Sequence, residues 1–370
     1  MPRKVVIDTD FGTDADDAIA IALALASDEI EIQAFTTVGR QSIYRKQTLE
    51  GFLSTLGKDF KVPPVFAGWD APRPLPYGFS AALPSAAFGD YLKGFGAGYR
   101  FNWFGNEGVL DPNSPTNPTD SAKQPPTSAG YAVYEAGQQL AKLLSNNDTD
   151  FIGIGPLTNL YQALTNPRLD GGNIAIPRLT VMGIHLAQTQ YGKDPKTGKP
   201  NFVSEAVDYN LGSDIVSALY VLNDLAQAGS KIQSARFVTA DVTLRTWLRK
   251  TDLAGSLAKS KNPFLQALVK IINEWTPIQT NLFKITSTGN AAFLHDPLTV
   301  ACAFSDRWCN FRKLNLELVL TNALGLRWIE RPQPTATTIS VNCAVSLKTS
   351  PPGGETFQQW MVRRLLKKFN

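Results

Sequence analysis

Val5-Val6-Ile7-Asp8-Thr9-Asp10-Phe11-Gly12-Thr13-Asp14-Ala15-Asp16-Asp17-Ala18, continued by the apolar run from Ile19 to Ala26, decides how the chain folds. The β-branched start predicts a buried strand, the Gly12 region a tight turn, and the alanine-rich run a helix. Five carboxylates, Asp8, Asp10, Asp14, Asp16 and Asp17, fall within ten residues. Like charges this close repel unless a cation or shared protons hold them. Aspartate is favoured at helix N-caps and first turns, which accounts for one or two of the five. The remainder are hard oxygen donors suited to Ca²⁺ or Mg²⁺, so the stretch reads as a metal site.

Working outward, Ile30 to Val38 alternates as a second strand, and strand, helix and strand this close form a βαβ unit with a parallel sheet. Gly39-Arg40-Gln41 follows the carboxyl end of that strand, the edge where open α/β sheets bind ligands. A helix from about Ser42 to Leu56 and a short strand at Val62 to Gly68 continue the alternation. From Trp69 to about Ser128 the chain is rich in Pro, Gly and aromatics, which predicts an ordered flap running into a mobile surface loop. Strands follow at Thr149 to Ile154, Leu179 to Ile184 and Ala235 to Thr239, and His185 to Asn201 reads as an exposed polar loop. Ser256 to Trp275 is mostly helical, Phe293 begins a helix through Phe304, and Leu316 to Leu320 and Thr338 to Val341 are strand-like. In the closing basic helix, Glu355 to Lys368, Phe357, Trp360, Met361 and Leu365 lie at helical spacing and predict a core-facing stripe. The expected fold is a single α/β domain over 1–370, with a mostly parallel, Rossmann-like central sheet flanked by helices and a flap inserted at about 69–128.

Composition narrows the function. The net charge of +4 comes from 36 basic and 32 acidic residues dispersed along the 370-residue chain, too mild a field to argue for nucleic acid. No apolar run reaches membrane-spanning length, and Met1-Pro2-Arg3-Lys4 leads straight into a strand without a secretory h-region. Cys302, Cys309 and Cys343 have no metal-ligand spacing and fit reduced thiols. A cytoplasmic protein without membrane or nucleic-acid partners is expected.

Four separated segments then carry a resemblance over nearly the whole chain. They are Asp8-Thr9-Asp10…Asp16-Asp17-Ala18, Gly155-Pro156-Leu157-Thr158-Asn159, Asp208-Tyr209-Asn210 with Asp214, and His295-Asp296-Pro297. In this order they resemble the inosine-uridine-preferring nucleoside hydrolases, α/β enzymes that cleave the N-glycosidic bond of nucleosides with one bound Ca²⁺. The resemblance implies a nucleoside substrate and a homodimer or homotetramer. It implies Asp10, Asp17, Asp296 and the Ile154 backbone carbonyl as Ca²⁺ ligands, with Asp10 also the general base. Asp16 is then a supporting partner, Asp8 a structural residue of the turn, and Asp14 a supporting residue or a competitor of Asp17. Asn210, Asp208 and Asn201 would meet the ribose. Asp214 reads as a helix N-cap, and His295 as the group that protonates or hydrogen-bonds the departing base. His185, in its exposed loop, reads as structural. Trp103, Phe104 and Trp275 are candidates to stack on the base, each with ordinary core packing as the alternative.

The sequence departs from the family pattern in three places. Asp14-Ala15 lengthens the acidic turn relative to many relatives. Arg40 stands where the family usually has an Asn, so it either pairs with a site carboxylate or meets an anionic substrate. Phe104 lies in a segment where relatives often carry a His. Two competing readings are a nucleoside-binding protein of the same fold that has lost hydrolysis through Arg40, and a phosphatase of the haloacid dehalogenase type. The second misses its own motif, because Gly12 stands where Thr or Val is required.

Overall fold

Alternation along the first strand divides the core in two. In β1 (Arg3–Thr9), Val5 and Ile7 pack into one buried cluster and Val6 into another, on opposite faces of the sheet. The structure, a computed structural model, describes residues 1–12, 14–39, 42–69, 129–165, 174–187, 189–193, 197–203, 208–283, 289–320, 326–349 and 354–370. Apart from Trp69, the flap expected over 69–128 lies outside the described residues.

The first half builds β1, helix α1 (Asp16–Leu25), β2 (Ile30–Thr37), α2 (Ser42–Ser54), β3 (Val65–Ala67), α3 (Ala129–Leu144), β4 (Thr149–Gly153), α4 (Thr158–Thr165) and β5 (Leu179–Met182). A short antiparallel hairpin, β6 (Thr189–Lys193) with β7 (Pro200–Val203), occupies the segment expected to be an exposed loop. Then come α5 (Tyr209–Ser213), α6 (Ile215–Asp224), β8 (Ala235–Val238), α7 (Ala240–Thr243), β9 (Trp247–Arg249), α8 (Lys250–Gly255), α9 (Pro263–Phe283), β10 (Asn290–Phe293) and α10 (His295–Phe304). The chain ends with β11 (Cys309–Leu320), β12 (Leu326–Arg331), β13 (Ile339–Leu347) and α11 (Phe357–Phe369).

Nine strands form one sheet in the order β12-β11-β13-β8-β5-β4-β1-β2-β3. Every pairing from β13 to β3 is parallel, and β11 pairs antiparallel with both β12 and β13. The antiparallel edge is held by cross-strand ion pairs, Arg331 to Glu317 at 2.6 Å and Arg312 to Glu330 at 3.1 Å. Helices cover both faces. Every residue of α1 is buried, as its Ile, Leu and Ala content on all sides requires. It packs along α10, and Asp296 in the first turn of α10 lies close enough to Asp16 in the first turn of α1 for the two charges to repel. The predicted stripe of α11 is observed, with Phe357, Trp360, Met361 and Leu365 all buried. Among the described residues no helix is long and apolar enough to cross a membrane.

Candidate active site

The strand order reverses between β1 and β4, and at such a switch point the loops leaving the two carboxyl ends diverge and open a crevice. The acidic turn leaves β1 and the Gly155 loop leaves β4 at that place. The two are locked together: Asp8 sits in register with Gly153, and the Ile154 amide donates to the Asp8 carbonyl at 2.8 Å. A side chain at Gly155 would bring Cβ within 2.9 Å of the Asp10 amide nitrogen and 2.7 Å of Val38. Gly155→Ala should therefore displace Asp10 and lower kcat by about tenfold or more, with a lower Tm, in steady-state assays and thermal melts.

Asp8 is fully buried, accepting from the Thr36 hydroxyl at 2.6 Å and the Asn159 amide at 2.7 Å. Its other oxygen has no hydrogen-bond partner, and burial pushes its pKa up to about 7. Asn159 ties the loops together by also donating to the Thr37 carbonyl at 3.0 Å and accepting from the Trp69 amide at 2.6 Å. Any Cβ at Gly68 would overlap that amide group. Asp8 thus has the structural role expected of it.

The remaining carboxylates converge. Asp14, Asp16 and Asp17 each offer an oxygen, and all three atoms lie within 4.8 Å of one another. Asp16 and Asp17 occupy the first turn of α1 and Asp296 the first turn of α10, where backbone N–H groups favour anions. Thr9 donates its hydroxyl to Asp17, and the Asp17 amide donates to Asp16 at 3.1 Å. Burial, and then repulsion among Asp10, Asp14, Asp16, Asp17 and Asp296, raises Asp16, Asp17 and Asp296 well above the ordinary carboxylate range. Asp10 is pushed up to about 7 by burial, with Arg45 opposing and Asp14 reinforcing the rise. All-oxygen donors buried together at cost to one another are the donor set a hard divalent cation satisfies. The residues fit such a cation; Asp14 and Asp16, expected as supporting residues, stand in the tight oxygen cluster with Asp17, while Asp10 and Asp296 lie outside that 4.8 Å group.

The other expected site residues fall as follows. His295 is half-buried, with Nδ1 2.6 Å from the Thr243 hydroxyl, and burial lowers its pKa to about 4. Asn210 is buried, and its amide nitrogen spans the carbonyls of Ile154 at 3.3 Å and Met182 at 3.4 Å, at the ends of β4 and β5. Asp208 caps α5 through the Leu211 amide at 3.1 Å and holds the Ile184 amide at 2.6 Å, where Ile184 has φ of 73°. Asp214 is the N-cap of α6, as expected, accepting from the Ser217 amide at 3.1 Å and the Thr158 hydroxyl at 2.7 Å. Asn201 lies in β7. Arg40, Trp103 and Phe104 lie outside the described residues.

Trp275 is buried, with its indole N–H donating to Gln279 at 3.1 Å, as the core-packing alternative describes. One expectation is corrected. His185 is buried at 2% exposure, because the chain stays inside for three residues beyond β5; its charge would be felt by His295. One group is new. Arg45 of α2 is fully buried beneath the acidic turn, donating to the Asp10 and Phe11 carbonyls. Next to Lys46 on a helix it looks like a solvated surface cation, and no sequence signal separates the two.

The family model for inosine-uridine preferring nucleoside hydrolase matches residues 5–365. Among solved structures, the chain is similar to a plant nucleoside hydrolase at 19% identity, covering 100% of this chain and 99% of that one with a TM-score of 0.63. It is similar to an inosine-guanosine nucleoside hydrolase at 18% identity, with 100% and 99% coverage and a TM-score of 0.62. An inosine-uridine preferring nucleoside hydrolase from Bacillus anthracis aligns at 16% identity over 99% of each chain, with a TM-score of 0.59. No curated protein sequence matches. Structural likeness at such low identity shows the fold, and the family match over nearly the full length shows more: the chain belongs to the inosine-uridine preferring nucleoside hydrolases, glycosidases that act on nucleosides.

Proposed function

We propose that the protein hydrolyses the N-glycosidic bond of ribonucleosides to ribose and free base, using Ca²⁺ held by Asp10, Asp17, Asp296 and the Ile154 carbonyl. The observation that carries this reading is the cluster of Asp14, Asp16 and Asp17 oxygens within 4.8 Å of one another, with buried Asp10 and Asp296 close enough for their charges to repel Asp17, at the crevice between β1 and β4. When bound, Ca²⁺ would supply a Lewis acid that lowers the pKa of water and holds sugar hydroxyls.

The side chains do the rest. Asp10, poised near neutrality by burial against Arg45, takes the proton of the attacking water. Asp14 and Asp16 would support the ligands around the cation, and carboxylates near the ribose would favour the positive charge that grows on it as the bond breaks. Asn210 orients the ribose, with Asp208 holding the loop behind it, and Asn201 of β7 would be a further ribose contact. His295, neutral at physiological pH, meets the leaving base by hydrogen bonding rather than as an imidazolium acid. Trp103 and Phe104 of the flap would flank the base, and Arg40 would tune substrate charge. The working unit would be a homodimer or homotetramer in the cytoplasm.

Incubation with inosine, uridine and adenosine in Ca²⁺ should release reducing sugar, and a chelator should stop it. Binding of both Ca²⁺ and nucleoside without sugar release from any substrate would refute hydrolysis and favour a nucleoside-binding protein. Asn210→Ala should raise KM about tenfold to a hundredfold with a smaller change in kcat, checked by steady-state kinetics on ribonucleosides.

Stability should also report the cation. Asp8 and Asp10 near 7 and Asp208 near 6 bind protons more tightly folded than unfolded, where Asp titrates at about 3.9. Their contribution is complete below about pH 4 and is lost as pH rises through 6 to 7. In chelator, Tm should therefore fall from pH 5 to pH 8, and saturating Ca²⁺ should flatten that fall. Parallel curves with and without Ca²⁺ in calorimetry would contradict the assignment of Asp10 as a ligand.

A further inference from the structure

We propose that Arg45 is the resident counter-charge of the acidic turn, a positioning residue that holds the backbone at Asp10 and keeps the carboxylate cluster assembled when no cation is bound. The proposal rests on the cation-binding reading above.

Among the described residues Arg45 is the only Lys or Arg in the buried set, while Asp8, Asp10, Asp16, Asp17 and Asp296 are all buried. Its Nη1 donates to the carbonyls of Asp10 and Phe11, the latter at 3.0 Å, so one guanidinium grips both peptide groups of the turn. The surroundings are shaped to admit it. Gly39 has φ of +88°, and a Cβ there would lie 3.3 Å from the Asp10 Cβ and 3.4 Å from the Arg45 Nε. Helix α2, which carries Arg45, is pinned at its start: the Thr37 hydroxyl donates to the Ser42 carbonyl at 2.7 Å, and the Ser42 hydroxyl to the Gly68 carbonyl at 2.6 Å.

Buried carboxylates without compensation destabilise a fold strongly. One positive charge against Asp10, Asp14, Asp16, Asp17 and Asp296 offsets part of that cost and leaves the cluster negative enough to attract a divalent cation. A single terminal nitrogen, Nη1, reaches both carbonyls, and a lysine at this position would keep the positive charge.

The test compares wild type, Arg45→Met and Arg45→Lys by thermal melting of the full chain, in EDTA and in saturating Ca²⁺. Arg45→Met should lose roughly 5–10 °C in EDTA and recover most of it in Ca²⁺, enlarging the Ca²⁺-induced rise over wild type. Arg45→Lys should keep a Ca²⁺-induced rise close to wild type. An equal loss for Arg45→Met in both buffers, or no loss, would overturn the proposal. If Arg45→Met does not fold in either buffer, Arg45→Lys decides: a rise matching wild type supports the counter-charge, and an enlarged rise overturns it. A wild-type protein with no Ca²⁺ response at all refutes the cation reading itself, which separates that failure from the failure of Arg45 alone.

Discussion

Asp10→Ala is expected to reduce kcat by roughly 10⁴-fold while weakening Ca²⁺ binding at least tenfold. The proposed mechanism gives Asp10 two duties, ligand and base. It follows β1 directly, 5% exposed, within the repulsive field shared with Asp14, Asp17 and Asp296. Burial raises its pKa towards neutrality, the direction that suits the general-base role proposed for it. Replacement by Ala removes both the ligand and the base, and the two losses multiply because they act on one transition state. Asp10→Asn separates them. The amide keeps an oxygen for the cation but accepts no proton, so kcat should fall nearly as far while Ca²⁺ affinity falls less. Titration calorimetry together with a reducing-sugar assay measures both, and a near-normal rate in either variant would sink the assignment.

Asp296→Ala should cost about 10²–10³-fold in kcat/KM, equivalent to about 3–4 kcal/mol of transition-state stabilisation. Its carboxylate stands in the first turn of α10, within the field of Asp10, Asp14 and Asp17, and its removal takes away a proposed ligand. Repulsion with Asp10, Asp14, Asp16 and Asp17 is relieved at the same time. The variant should therefore be more stable than wild type in EDTA and less responsive to Ca²⁺, a pairing that a mere packing defect does not produce. Melting curves in the two buffers test it.

Much of this site is legible in the chain because its first half is contiguous. A β-branched run, a turn and an alanine-rich helix leave Asp8 to Asp17 no other place than the carboxyl end of a strand. The parallel order of β1, β2, β4 and β5 follows from the same alternation. The cap of α6 by Asp214 was readable for a local reason, since capping depends only on residues three apart. What was not readable depends on contacts across the fold. Arg45 lies on a helix whose solvent and core faces are not distinguished by its own composition, and only the turn packed above it makes it buried. His185 looks solvated beside a polar loop, yet the chain stays buried for three residues past the end of β5 at Met182. The β6–β7 hairpin hides in a Lys- and Gly-rich segment with little apolar alternation, and β12 shows its partner only once β11 is laid beside it. Which oxygens of the acidic turn converge is likewise a matter of backbone path: spacing alone does not place Asp14 with Asp16 and Asp17.

The most direct measurement is a crystallographic density map of the protein grown with Ca²⁺ and phased to show anomalous signal from the ion. One ion in contact with Asp10, Asp17 and Asp296 at the crevice between β1 and β4 is the predicted result. A map with that crevice free of any ion, or with Ca²⁺ bound elsewhere while sugar release persists, would contradict the account.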